Sequence, residues 1–217
     1  MKKLVLILCA VCVQASADTL FSDLGTGGSV YTAGPGAVIQ GTSGDNIAQA
    51  RPFTVSGSGM FNVTQIDLGI VYDLSPHTFA ASIWTDNSDN PGTELGAWNL
   101  TTNEQSGSCC LLTTQSGITG VTVTGGVKYW LVAAPVTSND GGKVEWELNS
   151  QGQNSEQLGA LNGGAWIHDG TGQATAFDVL GTAAVSPTPE PGSLLLLGPS
   201  IAGMLGWIGL RRRRAHQ

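Results

Sequence analysis

The chain has 217 residues, a formal charge of −7 and 12% charged residues. Between positions 18 and 186, three basic residues stand against fifteen acidic ones, which gives this stretch a formal charge of −12. This balance excludes nucleic acid as a partner, because phosphate binding needs clustered lysine and arginine. The acidic surface favours solubility, and the length suits one domain with a single hydrophobic core.

The first 17 residues predict a signal peptide. Lys2 and Lys3 precede an apolar, helix-forming run at 4–13, and a small-residue segment at 15–17 supplies what a signal peptidase requires. We expect cleavage between Ala17 and Asp18. The protein is therefore expected to be exported, with signal peptidase as its first partner.

Residues 18–182 predict an all-β domain. Glycine, threonine, valine and asparagine are abundant, charged residues are scarce, and no stretch sustains a helical period. The predicted strands lie at 48–55, 61–72, 79–85, 95–100, 120–124, 127–136, 143–149, 165–168 and 174–180. Short strands separated by glycine-rich turns predict an antiparallel β-sandwich of jelly-roll or immunoglobulin-like topology.

The segment 61–72 changes its apolar parity. Val63 is at an odd-numbered position, whereas Ile66 and Leu68 are at even-numbered positions. Since side chains alternate along a strand, all three can share one face only if an extra residue is inserted. We therefore predict a bulge or break near Thr64 and Gln65.

Tryptophans are the candidate binding residues, because a flat indole ring can stack on the apolar face of a sugar ring. Trp84 and Trp130 have the opposite parity to their apolar strand neighbours, so either could face solvent and bind a glycan. Trp98 and Trp166 lie beside glycine-rich segments. Each of these two forms either an exposed platform or a cap over the sheet edge.

The loop from Asp86 to Asn90 offers oxygen ligands, the chemistry that calcium prefers. It does not follow the EF-hand pattern, because Pro91 and Ala97 stand where glycine and glutamate belong. Two interpretations stay open: an irregular calcium site at Asp86 and Asp89, or polar side chains that cap the turn. We expect no other cofactor.

Two of the four cysteines, Cys9 and Cys12, leave with the signal peptide. Cys109 and Cys110 remain, and the compartment of an exported protein is oxidising. Three interpretations stay open: a vicinal disulfide, free or intermolecular thiols, and a redox or metal-binding role. No histidine stands close enough in sequence to suggest a zinc site.

The strand at 143–149 alternates most clearly. Val144, Trp146 and Leu148 are expected in the core, with Lys143, Glu145, Glu147 and Asn149 on the solvent face. Two carboxylates at this spacing lie roughly 7 Å apart, near the separation used by glycosidases, so a small secreted glycan hydrolase is an alternative function. Charged residues are common on exposed strand faces, and no nucleophile elbow, zinc-protease motif or phosphate loop accompanies them. We expect the protein not to be an enzyme.

The C-terminal region predicts membrane targeting. A proline-rich linker at 183–191 is followed by an uncharged segment at 192–210 and a tail at 211–217 that begins with Arg211, Arg212, Arg213 and Arg214. As a helix, residues 194–210 would span roughly 26 Å, close to the thickness of the hydrocarbon core. We predict a single transmembrane helix, with the arginines stopping transfer and holding the tail in the cytoplasm.

The motif Pro189-Glu190-Pro191, the short apolar helix and the arginine cluster together resemble the PEP-CTERM sorting signal. The resemblance implies that an exosortase-type protease recognises these three residues and removes the tail. It also implies passage from the inner membrane to the surface or matrix of a Gram-negative bacterium that makes exopolysaccharide. Without cleavage, the helix would stay as a permanent anchor.

A second resemblance lies in the body. The segments Arg-Pro-Phe-Thr at 51–54, Asp-Asn-Pro-Gly at 89–92, Lys-Tyr-Trp-Leu at 128–131 and Ala-Phe-Asp-Val at 176–179 are similar to those of choice-of-anchor domains. These domains precede bacterial surface-sorting tags, so the resemblance implies an exported β domain and supplies no catalytic residues. The expected function is that of a structural or carbohydrate-binding module associated with exopolysaccharide.

Overall fold

The computed structural model of this chain describes residues 17–25, 30–42, 45–137 and 141–184. The predicted linker beyond 184, the transmembrane segment, the arginine tail and residues 1–16 of the signal peptide lie outside these residues. Within the described ranges, no helix is both long and apolar enough to cross a membrane.

The described residues form fourteen strands, and the predicted all-β class is confirmed. In chain order these are β1 (Asp18–Ser22), β2 (Tyr31–Thr42), β3 (Asp45–Thr54), β4 (Met60–Leu68), β5 (Ile70–Tyr72), β6 (Thr78–Asp86), β7 (Pro91–Thr101), β8 (Thr113–Ser116), β9 (Thr122–Thr124), β10 (Lys128–Pro135), β11 (Lys143–Asn149), β12 (Asn154–Leu161), β13 (Ile167–Gln173) and β14 (Phe177–Ala183). Strands β1, β2, β8 and β12 were not predicted.

The strands build two antiparallel sheets. The five-stranded sheet has the order β1-β14-β4-β8, with β9 also paired to β4. The nine-stranded sheet has the order β5-β11-β2-β3-β10-β6-β7, and the β12–β13 hairpin joins it where β12 pairs with β3. The predicted antiparallel arrangement is confirmed.

Both sheets contribute to one main core. The five-stranded sheet supplies Leu20, Val63, Ile66, Leu68, Phe177 and Val179, and the nine-stranded sheet supplies Phe53, Phe79, Ile83, Leu131, Val144 and Trp146. Aromatic rings pack within this core, with the centroids of Trp146 and Phe177 5.6 Å apart. Apolar burial between the two sheets is therefore the main stabilising contribution to the fold.

The predicted bulge is present in β4. Leu180 of β14 pairs with Gln65 and Gly181 pairs with Val63, which leaves Thr64 as the extra residue. The insertion reverses the parity of the strand, so Val63 and Ile66 are both buried. The prediction for this segment is confirmed.

Candidate functional site

A second apolar cluster lies on the other side of the nine-stranded sheet, which we call the outer face. In β10, Tyr129 and Leu131 belong to the main core, whereas Trp130 and Val132 belong to the second cluster. Their alternation places the two clusters on opposite faces of the strand. Ala50 and Leu158 complete the second cluster, and Trp84 and Trp166 pack against it.

Trp130 is fully buried, at 0% exposure, so the expectation that it could face solvent is wrong. Its side chain lies on the outer face, as its parity indicates, but there it packs in one cluster with Ala50, Val132 and Leu158, and Trp84 and Trp166 pack against that cluster. The indole Nε1 donates to Asp86 Oδ1 at 2.7 Å, and Lys128 Nζ lies 4.5 Å from the ring centroid. Trp130 therefore supports the outer face and offers no free ring to a sugar.

Lys128 is the centre of a group of charged residues on this face. Its Nζ lies 2.8 Å from Asp89 Oδ1, 3.2 Å from Glu156 Oε2 and 3.8 Å from Asp86 Oδ1. Burial acts to lower the pKa of Lys128, but hydrogen bonds to Asp89 and Glu156 outweigh it and raise the pKa. Glu156 Oε1 also contacts His168 Nδ1 at 2.7 Å.

The lysine changes the interpretation of the candidate calcium site. Asp86 and Asp89 face one ammonium group, and the hydrogen bond from Lys128 holds the pKa of Asp89 below its usual value. The loop also forms a turn, in which Asn87 N–H donates to the carbonyl of Asn90 at 2.8 Å. Among the described residues, no group of three or more acidic, histidine or cysteine side chains could hold a metal ion. The turn-capping interpretation fits this geometry better than the calcium one.

Trp84 is only half-buried and lies on the outer face beside Trp130, its partner across β6 and β10. Its Nε1 donates to Ser82 Oγ at 2.7 Å, which fixes the ring. The neighbouring strand β7 places exposed Glu94 opposite Trp84 and exposed Ala97 opposite Ser82. Trp84 therefore has a fixed, partly accessible ring with a carboxylate next to it.

The other tryptophans divide between the two clusters. Trp146 is fully buried, as predicted, and its Nε1 donates to the carbonyl of Ala176 at 3.1 Å. Trp98 packs on the main core, so it is not an exposed platform. Trp166 is half-buried against the second cluster, in the turn between β12 and β13.

Glu147 is not on a solvated face, and that expectation is wrong. It is 0% exposed, and its Oε2 accepts a hydrogen bond from the backbone N–H of Gly34 at 3.2 Å. Burial raises the pKa of Glu147 to about 7, with a smaller contribution from the charge of Glu145. Glu145 remains near the surface and pairs with Lys143 at 2.8 Å.

The two carboxylates therefore occupy different environments. Glu145 Oε2 also accepts a hydrogen bond from Ser106 at 3.2 Å. Glu147 does not line the cavity that lies between β2 and β3. The alternation of this strand breaks at Glu147, where its pairing with β2 shifts register between Trp146 and Leu148. Leu148 is therefore only half-buried and Asn149 is buried, so the expected placements of these two residues are wrong.

The remaining predicted residues fall elsewhere. The sulfur atoms of Cys109 and Cys110 lie against each other, and the vicinal disulfide stays a prediction. Ala17 and Asp18 are exposed, and Asp18 is the first residue of β1, so the predicted cleavage would leave this strand whole. The sorting residues at 189–191 and the stop-transfer arginines at 211–214 lie outside the described residues.

Two features were missed by sequence reasoning. Arg51 is buried, and the sequence did carry a signal for this. Arg51 stands two residues from Phe53 in β3, so its side chain is on the same face of the strand as that core residue. Asp67 and Asp178 face each other across β4 and β14, and only the register of these strands brings them together. Burial, followed by the charge of Asp67, raises the pKa of Asp178 to about 7.

No protein-family model matches this chain, and no curated protein matches it at a significant level. Function must therefore be argued from the residues themselves.

Proposed function

We propose that this chain is an exported protein of the cell surface or extracellular matrix that binds or organises exopolysaccharide without catalysing a reaction. The signal peptide at 1–17 supports export, and the position of Asp18 at the start of β1 fits cleavage after Ala17. The motif at 189–191 supports sorting by an exosortase-type protease. Before processing, the helix at 192–210 would tether the protein to the inner membrane.

We further propose that the domain is a β-sandwich with jelly-roll or immunoglobulin-like topology. The two antiparallel sheets and their shared core support this arrangement. On the outer face of the nine-stranded sheet, the partly exposed ring of Trp84 is the part that a polymer could contact.

Trp84 is the observation that carries the glycan-binding proposal. Its ring is half-buried and fixed by Ser82, so stacking a sugar on it would cost little side-chain entropy. Glu94, opposite it, can accept hydrogen bonds from sugar hydroxyl groups. An aromatic platform beside fixed polar groups is typical of sites that orient a ligand.

Retention on polysaccharide from an exosortase-containing producer tests this proposal. The full chain should be purified in a detergent without a sugar headgroup. Trp84→Ala should weaken retention about fivefold, since stacking contributes about 1 kcal/mol. Trp130→Phe changes a buried ring and serves as the matched control. Equal retention of the Trp84→Ala and wild-type proteins would contradict the binding proposal, and no retention of either would leave a structural role.

A glycan hydrolase that uses Glu145 and Glu147 is the alternative. The raised pKa of Glu147 favours it as a general acid, whereas its complete burial opposes access by a substrate. Release of reducing ends from the same polysaccharide distinguishes the two functions. Activity lost in Glu147→Gln with retention intact would establish the alternative.

Sorting is tested separately in a host that carries an exosortase. Replacement of Glu190 by alanine should leave the C-terminal tail on the protein and keep it in the membrane fraction. Intact-mass measurement of the surface form checks this outcome. A wild-type protein that retains its tail would instead indicate the permanent anchor.

A further inference from the structure

The nine-stranded sheet opens between β2 and β3. These strands pair only where β2 ends and β3 begins, through residues 40–42 of β2 and 45–47 of β3, and β3 also pairs with β12 from Ile47 to Ala50. Pro35 lies in the unpaired part of the opening, where it has no backbone N–H to donate to a ladder.

A cavity of about 250 Å³ occupies this opening. Its walls include Gly36 of β2, Arg51 of β3, Leu148 of β11, Gln157 of β12 and Gln173 of β13. Its lining residues do not include Trp84, Ser82 or Glu94, which form the candidate glycan site. The cavity is therefore separate from the site described above.

Arg51 brings a buried positive charge to this cavity. It is 2% exposed, and its Nη1 donates to the carbonyls of Ala50 at 2.9 Å and Leu158 at 3.4 Å. Its Nε has no hydrogen-bond partner. Within the described part of the chain, no carboxylate lies in ion-pair distance of Arg51. Asp169 acts on it only as a more distant charge.

A buried guanidinium in this state is costly unless an anion compensates it. Burial lowers the pKa of Arg51 to about 10, so the group still carries its proton at neutral pH. The ring of Trp146, 5.9 Å from Cζ, gives partial compensation through a cation–π contact. The Nε atom is buried and makes no hydrogen bond, and an arginine uses its Nε edge to bind a carboxylate with two parallel hydrogen bonds.

The two glutamines add acceptors beside this charge. Gln157 Nε2 donates to the carbonyl of Gln173 at 2.8 Å, and Gln173 Nε2 donates to the carbonyl of Asn149 at 2.7 Å. Both amide groups are therefore held by their donors, and their side-chain oxygens remain to accept hydrogen bonds from hydroxyl groups.

We propose that Arg51, Gln157 and Gln173 form a binding site for the carboxylate of a sugar acid. The carboxylate pairs with the guanidinium, and the ligand's hydroxyl groups donate to the glutamine oxygens. The cavity is smaller than the roughly 300–1,000 Å³ of pockets for drug-sized ligands, so it admits about one sugar unit. The sugar part of this assignment rests on the proposed function, whereas the carboxylate part does not.

Calorimetric titration of the full chain in sugar-free detergent tests the site. The probes are glucuronate, glucose and acetate. Wild-type protein should bind glucuronate and not glucose at the same concentration. Arg51→Gln and Arg51→Lys should each weaken glucuronate binding at least about tenfold, because neither presents the planar fork. Lys143→Gln removes an equal charge at a more exposed position and should bind as the wild type does.

Asp169→Asn provides a test that does not depend on a buried substitution. Asp169 is exposed and is the carboxylate whose charge acts on Arg51, so its loss should tighten glucuronate binding a few-fold. Circular dichroism checks that each Arg51 variant is folded. Absence of glucuronate and acetate binding by both wild-type and Asp169→Asn protein would overturn the site. Equal affinity for acetate and glucuronate would overturn its sugar part.

Polymers distinguish the source of the carboxylate. Retention on polygalacturonate, lost in Arg51→Gln and absent on dextran, would identify an acidic polysaccharide as the ligand. Binding of the monomer without the polymer would identify a free sugar acid and overturn the link to exopolysaccharide. If glucuronate does not bind, the proposed function can still hold. It would be supported by retention on a neutral polysaccharide that is lost in Trp84→Ala and unchanged in Arg51→Gln.

Discussion

Glu147→Gln should make the protein more stable at pH 8 and should change little at pH 4. Glu147 is 0% exposed, and burial raises its pKa from 4.5 to about 7. Because the folded state holds this proton more tightly than the unfolded state does, the stabilising contribution is complete below pH 4.5. It is lost as the pH rises towards 7.

The magnitude follows from the size of the shift. A difference of about 2.5 pH units corresponds to about 3 kcal/mol of unfolding free energy between pH 4 and pH 8. Glutamine carries no proton to lose and can still accept the hydrogen bond from Gly34 through its side-chain oxygen. The stability difference between variant and wild type should therefore grow by about 3 kcal/mol in favour of glutamine over this range.

Urea unfolding of the full chain, followed by circular dichroism at pH 4, 6 and 8, measures this difference. Other buried carboxyl groups are common to both proteins and cancel. Glu94→Gln removes an exposed charge and is the control, with an expected effect within about 0.5 kcal/mol. A difference between Glu147→Gln and wild type that is constant with pH, or that favours glutamate at pH 8, would refute the reasoning.

Two further predictions concern other parts of the fold. The stability of Asp178→Asn relative to wild type should increase by up to about 2 kcal/mol from pH 4 to pH 8, because burial and the charge of Asp67 raise the pKa of Asp178; partial exposure of this side chain reduces the effect. Urea unfolding at the two pH values measures the increase, and its absence would contradict the prediction. Gly36→Ala should destabilise the protein by about 1–3 kcal/mol, because the added Cβ would overlap the carbonyl of Trp146. Gly34→Ala meets nothing within 4 Å and is the matched control; equal thermal midpoints for the two variants would contradict the packing argument.

The candidate site was predicted in pieces. The tryptophans and the aspartates suggested two unrelated sites, one for sugar and one for calcium. In the structure Asp86 accepts a hydrogen bond from Trp130, and Lys128 contacts both of these residues. Lys128 stands two residues before Trp130 in β10, but nothing in local spacing signals that it reaches Asp86, because that contact depends on the pairing of β6 with β10.

The missed strands lacked a local signal. Gly34, Pro35 and Gly36 interrupt β2, and these residues have low intrinsic strand preference. The segment is nevertheless a strand, because β11 pairs with it on both sides of this interruption. Strand formation there depends on a partner more than one hundred residues away.

Side-chain alternation could not predict that residues on the outer face of the nine-stranded sheet are buried. Alternation correctly placed Val144 and Trp146 in the core, and it correctly placed Trp130 on the opposite side from Leu131. It could not tell whether that opposite side is covered. Trp130 is buried in a cluster that includes Leu158, and Leu158 reaches that cluster only because β12 pairs with β3.

Local sequence was sufficient for the all-β class, the core side of the clearest strands and the bulge at Thr64, because composition and side-chain alternation act over a few residues. The burial of Glu147 and Trp130, and the opening that isolates Arg51, depended on the assembled sheets. These features arise from strand pairings between distant segments, and the free energy of burying a group is set by whichever segments finally cover it.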